Sequence, residues 1–127
     1  DTVKKNPTAW MAHYNLANVF IKEQKVEEAL VHYREAIGLK PDFPRATYNL
    51  ANTLLTQNKT QEAIIQYQST IRIKPDFVDA YNNLGVALLS EGSTEEAIIQ
   101  FEKALELKPD YADALNNLAI AARRGAN

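Results

Sequence analysis

The sequence predicts an all-α solenoid of antiparallel helix pairs, three full units followed by a C-terminal helix. Three observations predict it: a 34-residue period, two amphipathic stretches in every period, and small residues at fixed places on both. Pro7, Pro41, Pro75 and Pro109 carry the period, each 34 residues beyond the last. Lys40-Pro41-Asp42-Phe43, Lys74-Pro75-Asp76-Phe77 and Lys108-Pro109-Asp110-Tyr111 keep its register. So do Glu28-Ala29-Leu30, Glu62-Ala63-Ile64 and Glu96-Ala97-Ile98, and Asn15-Leu16-Ala17, Asn49-Leu50-Ala51, Asn83-Leu84-Gly85 and Asn117-Leu118-Ala119. A helix pair this short cannot bury its apolar face alone, so units repeating at one step must stack.

The chain divides into residues 1–9 as the end of a preceding helix and N-terminal cap, units at 10–43, 44–77 and 78–111, and a capping helix at 112–127. In the third unit Ala80, Leu84, Ala87 and Leu88 recur at steps of three and four, as one helix face requires. Ala97, Ile98, Phe101, Ala104 and Leu105 form a second stripe beyond the turn at Glu91-Gly92-Ser93. Ser93 with Glu96 fits a capping box at the start of that second helix. Asn58 and Gly92 hold matching turn positions and tolerate a left-handed backbone, and Gln24 is the weaker choice in the first unit. Pro41, Pro75 and Pro109 lack an amide donor and separate the units. Ala17, Ala51, Gly85 and Ala119 let a first helix approach its partner, as Ala29, Ala63 and Ala97 do on the second. Ala36 and Ala104 do so further along, where Thr70 departs from the pattern. Phe20, Tyr33, Tyr67 and Phe101 fill the gaps between helices.

Composition narrows the function. Of 127 residues 46% are apolar, enough for a core, and a net charge of −2 lacks the basic face that nucleic acid needs. No cysteine is present, which excludes disulfides and thiolate metal sites. No stretch approaches the roughly 18–20 apolar residues of a membrane span. The compartment stays open, with a soluble chain as the expectation. Asp1 to Pro7 does not read as a signal peptide and carries no initiator Met, which points to a piece of a longer chain. His13 and His32 belong to no close-spaced ligand cluster and read as interface residues. Ser69, Ser90 and Ser93 have no adjacent base, and four glycines make no phosphate-cradling loop. Glu27-Glu28 and Glu95-Glu96 sit at helix starts, where they complement the dipole. The expectation is a protein without catalytic residues, metal or cofactor. Trp10 opens the first unit and reads as a cap.

The periodic Pro, Ala, Asn and aromatic positions resemble the tetratricopeptide repeat family over 10–43, 44–77 and 78–111, with 112–124 as a further first helix. The variable first-turn position, here His13, Thr47, Tyr81 and Leu115, departs from the family's usual large residue. The resemblance implies a right-handed superhelix whose first helices line a concave groove and whose second helices form the convex back. Three rows then face the groove: Asn15, Asn49, Asn83 and Asn117; Tyr14, Tyr48, Asn82 and Asn116; Asn18, Asn52, Val86 and Ile120.

The first row repeats one residue type four times. An amide offers one acceptor and two donors, which suits both polar groups of a peptide unit. The segment Pro44-Arg45-Ala46-Thr47-Tyr48-Asn49-Leu50-Ala51-Asn52 is similar to repeats of the O-linked N-acetylglucosamine transferase superhelix, which implies an asparagine ladder holding an extended chain. Asn15, Asn49, Asn83 and Asn117 are its rungs, with Tyr14, Tyr48, Asn18, Asn52 and Asn82 beside them. The alternative for the same asparagines is hydrogen bonding between helices. Four bonds at about 0.5–1.5 kcal/mol each give about millimolar affinity, so side-chain contacts must add to them. The terminal-carboxylate clamp of chaperone-cofactor members is not expected, because its places hold Tyr14, Asn18, Asn49, Asp79 and Asn83.

The partner expected is therefore a protein or peptide. Two other readings remain. The segment Asp1 to Leu16 resembles the start of the repeats in bacterial membrane glycosyltransferase-like proteins, which implies a soluble tail of an enzyme. The last helix, with Leu115, Leu118, Ala119 and Ala122 uncovered, favours end-to-end self-association.

Overall fold

A computed structural model describes residues 8–126, with the side chains of 8–125. Every regular element among them is helical. They are α1 (Ala9–Lys22), α2 (Val26–Leu39), α3 (Pro44–Thr56), α4 (Thr60–Ile73), α5 (Val78–Ser90), α6 (Thr94–Leu107) and α7 (Ala112–Ala126). Of the expected preceding helix end and cap at 1–9, residues 1–7 lie outside the described residues, and α1 begins at Ala9. Each helix packs most closely on its hairpin partner, α1 on α2, α3 on α4 and α5 on α6, and then on the next unit. Successive first helices also touch, α3 with α5 and α5 with α7. No pair of second helices approaches to the same extent, so the stack curves with its first helices inside.

The turns inside the hairpins share one construction. The N–H of Lys25 reaches the carbonyl of Phe20, Lys59 reaches Leu54 and Ser93 reaches Leu88. The N–H groups of Gln24, Asn58 and Gly92 return to Ile21, Leu55 and Leu89. This is the paired-bond helix ending that needs a left-handed residue, and Gln24 (φ 61°), Asn58 (φ 60°) and Gly92 (φ 84°) supply it. The capping box expected at Ser93 does not form: its side chain makes no cap hydrogen bond. Ser93 ends one helix with its N–H while it begins the next, and Lys25 and Lys59 fill that double position without a capping side chain. Between units, Lys40, Lys74 and Lys108 are extended (φ −139°, −135° and −144°), as a residue before proline must be. Pro44 then opens α3, where its missing N–H has no helical partner to lose.

One core runs the length of the stack. Ala17, Ala29, Ala51, Ala63, Ala87 and Ala97 bring the helices together, and Leu30, Tyr33, Leu50, Leu54, Tyr67, Leu84 and Phe101 fill the space between them. Each large side chain contributes roughly 1.5–3 kcal/mol by leaving water. Ala119 is exposed, with no second helix covering it among the described residues. Thr70 is explained by its neighbour: Thr47 and Thr70 place their hydroxyls 2.7 Å apart in a buried pair. Trp10 packs edge-on against Phe43 at 5.0 Å, with the Lys40 ammonium 5.0 Å from its ring.

Candidate functional site: an amide column between the repeats

The first helices carry the candidate residues on their inner side, and the structure joins most of them in one repeating network. Asn49 Nδ2 donates to Tyr14 Oη (3.1 Å) and Asn18 Oδ1 (3.3 Å) in the preceding unit. Asn83 Nδ2 donates to Tyr48 Oη and Asn52 Oδ1, both at 3.0 Å. The hydroxyls of Tyr33 and Tyr67, from α2 and α4, donate to the same Asn18 and Asn52 oxygens from behind. At the third junction Asn117 Nδ2 donates to Asn82 Oδ1 at 3.0 Å. Asn82 occupies the place of Tyr14 and Tyr48, is only 4% exposed, and turns its own Nδ2 toward Asn83 Oδ1 at 3.3 Å. Asn15 is exposed and makes no hydrogen bond among the described residues.

This geometry changes what the column can offer a ligand. Both Nδ2 hydrogens of Asn49 and of Asn83 are engaged inside the molecule, so neither amide is free to pair with both polar groups of a peptide unit. Among the described residues, Asn49 Oδ1 and Asn117 Oδ1 accept no bond. No buried side-chain oxygen or nitrogen is left without a partner there, so these two oxygens reach solvent. The network holds them in fixed orientation as acceptors.

The supporting tyrosines were the part that periodicity alone missed, because a Tyr and a Phe at a packing position share one apolar pattern. A signal was nonetheless present. Tyr33 pairs with Asn18 and Tyr67 with Asn52, whereas Phe101 faces a unit with Val86 at the asparagine position. The hydroxyl and its acceptor disappear together. Burial pushes the Tyr33 hydroxyl up to about 12, helped by nearby Tyr14, and burial also raises Tyr67 and Tyr48 above the ordinary phenol range.

A cleft of about 390 Å³ opens between the first two units, lined by Asn18, Asn49, Asn52, Ile21, Lys22 and Thr53. Ile21 makes part of its lining apolar, and Lys22 is exposed beside it in the chain. The two histidines, 19 residues apart in sequence, meet: His13 Nδ1 and His32 Nδ1 lie 2.9 Å apart with the rings stacked. Among the described residues no three histidine, aspartate or glutamate side chains converge as metal ligands. No helix there is long and apolar enough to cross a membrane. Asp79 accepts a hydrogen bond from Tyr111, and Arg45 is exposed on the corresponding turn of α3.

Comparison with known proteins places the arrangement. A tetratricopeptide repeat family model matches residues 48–112, and a second, a TPR repeat model, matches residues 17–58. The chain belongs to the tetratricopeptide repeat family, whose units act as protein-interaction modules. A comparison with curated proteins gives no match. Among solved structures, the chain is similar to the first TPR of Spaghetti (RPAP3) bound to the HSP90 peptide SRMEEVD, with a TM-score of 0.90 and 24% identity over 93% of this chain and 94% of that one. It is similar to MamA, with a TM-score of 0.90 and 22% identity over 98% of this chain and 72% of that one. The Arabidopsis OM64 TPR domain matches with a TM-score of 0.86 and 24% identity over 91% of this chain and 95% of that one.

Proposed function

We propose that the chain is a non-catalytic scaffold that holds an extended peptide or partner segment in the trough of its first helices, with the asparagine column meeting the segment's backbone. The carrying observation is the pair of solvent-reaching Asn49 and Asn117 oxygens, held in place by donors already committed to the neighbouring unit. Such acceptors suit backbone N–H groups, which every sequence presents. Asn15 adds a rung with no bond to another described residue. The cleft at Asn18, Ile21 and Lys22 supplies the side-chain contacts that a few hydrogen bonds lack. The peptide in the Spaghetti (RPAP3) complex supports the class of ligand. The chaperone-tail clamp is not supported, since Tyr14, Asn18, Asn49, Asp79 and Asn83 bring no cation to its places. Two of the three serine hydroxyls engage locally, Ser90 with the Ala87 carbonyl and Ser69 with Arg72, which favours a role without catalysis.

The test is a peptide-library pulldown comparing wild type, Asn49→Ala/Asn83→Ala and Asn15→Ala, each checked for helical fold by circular dichroism. Loss of binding in both variants is expected. Asn15→Ala matters because that side chain supports no neighbour among the described residues, so its effect reports on the ligand. Binding that survives both changes intact would overturn the ladder. A second reading, end-to-end stacking through α7, is favoured by the exposure of Leu115, Ala119, Ile120 and Ala122. Light scattering across a concentration series decides it: growth in mass supports stacking and a constant monomer removes it.

A further inference from the structure

The second helices carry a feature that neither the core nor the groove uses. Val31, Ile65 and Ile99 stand at one register on α2, α4 and α6 and are 54%, 60% and 49% exposed. Single exposed aliphatics are ordinary. Three branched ones in a row are not explained by helix formation, because β-branched side chains slightly disfavour it. Nor does repetition alone explain them. One turn further on, the equally exposed positions drift from Arg34 to Gln68 to Glu102.

Three residues before each aliphatic, and so beside it on the helix surface, stands a glutamate: Glu28, Glu62 and Glu96. All three are exposed, and none forms an ion pair among the described residues. Their place in the first helical turn complements the helix dipole, which accounts for the carboxylates but not for the apolar row beside them. The outer face thus carries an aliphatic line flanked by a parallel acidic line, both advancing one unit at a time.

We propose that this outer face is a second docking surface, and that its occupant is a basic amphipathic helix of a partner protein, laid across α2, α4 and α6. Its apolar side covers Val31, Ile65 and Ile99, and its Lys or Arg residues meet Glu28, Glu62 and Glu96. A second copy of this chain does not fit, because back-to-back contact would bring two rows of glutamates together.

The experiment uses a designed helical peptide of Leu and Lys, with Leu at steps of three and four, and a shuffled peptide of the same composition. Binding is measured by fluorescence anisotropy at low and high salt. Wild type is expected to bind the amphipathic peptide in preference to the shuffled one, more weakly in salt. Val31→Gln/Ile65→Gln/Ile99→Gln is expected to weaken binding by about tenfold or more, and Glu28→Gln/Glu62→Gln/Glu96→Gln to weaken it and flatten its salt dependence. Asn15→Ala, a groove change that breaks no bond between described residues, is expected to bind as wild type does, which separates this surface from the groove. Gln is a better helix former than Val or Ile, so the first triple variant keeps its fold. The proposal is overturned by equal binding of the shuffled peptide or none by wild type, by unchanged binding in the first triple variant, by its unfolding, by loss in the groove variant, or by a wild-type dimer that the first triple variant abolishes.

Discussion

Gly85 leaves no room for a methyl group: a Cβ there would lie 2.4 Å from the Phe101 ring. Gly85→Ala is therefore expected to lower stability by about 1–3 kcal/mol in urea unfolding, the usual cost of overpacking, and Phe101→Leu in the same chain to recover part of it. Gln24 presents the opposite case. It holds a left-handed backbone that a side chain resists, so Gln24→Gly is expected to stabilise by roughly 0.5–1 kcal/mol in the same assay. Both positions were legible in the sequence, Gly85 as a small residue at a close approach and Gln24 as the odd member of a turn column. The Tyr33 and Tyr67 hydroxyls were less so, because apolar spacing is blind to a polar atom at the tip of a ring.

At the scale of the element, helix positions followed from apolar spacing, while the way each helix ends did not. Ser93 and Glu96 have the right spacing for a side-chain cap. The backbone satisfies the preceding helix through the Ser93 N–H instead, a competition that no local pattern displays. The tyrosines that join α2 to α1 and α4 to α3 make stability depend on alkaline pH. In the folded chain the Tyr33 hydroxyl titrates at about 12, against about 10 for an exposed phenol. The raised value favours the folded state below pH about 10, and that contribution is lost as pH rises toward about 12. Thermal melts across this window are expected to fall steeply for wild type and less steeply for Tyr33→Phe/Tyr67→Phe. At neutral pH the double variant is expected to be less stable by about 1 kcal/mol per lost hydrogen bond.

For the whole molecule, the 34-residue step made the stacked architecture readable, since one period fixes which faces must meet. Hydrogen bonding between helices was the alternative expected of its asparagines, and the amide column does couple the units. Asn83→Ala removes two bonds across the second junction and is expected to lower unfolding free energy by about 1–3 kcal/mol. In the proposed function the same rungs meet the ligand, so coupling and recognition would share residues.

The most direct test of that shared role is backbone-amide chemical-shift mapping with an extended peptide selected from the library. Shifts concentrated on the first helices, at residues 14–18, 48–52 and 82–86, are the predicted result. Shifts confined to the outer faces of α2, α4 and α6, with the asparagine column unmoved, would contradict the account.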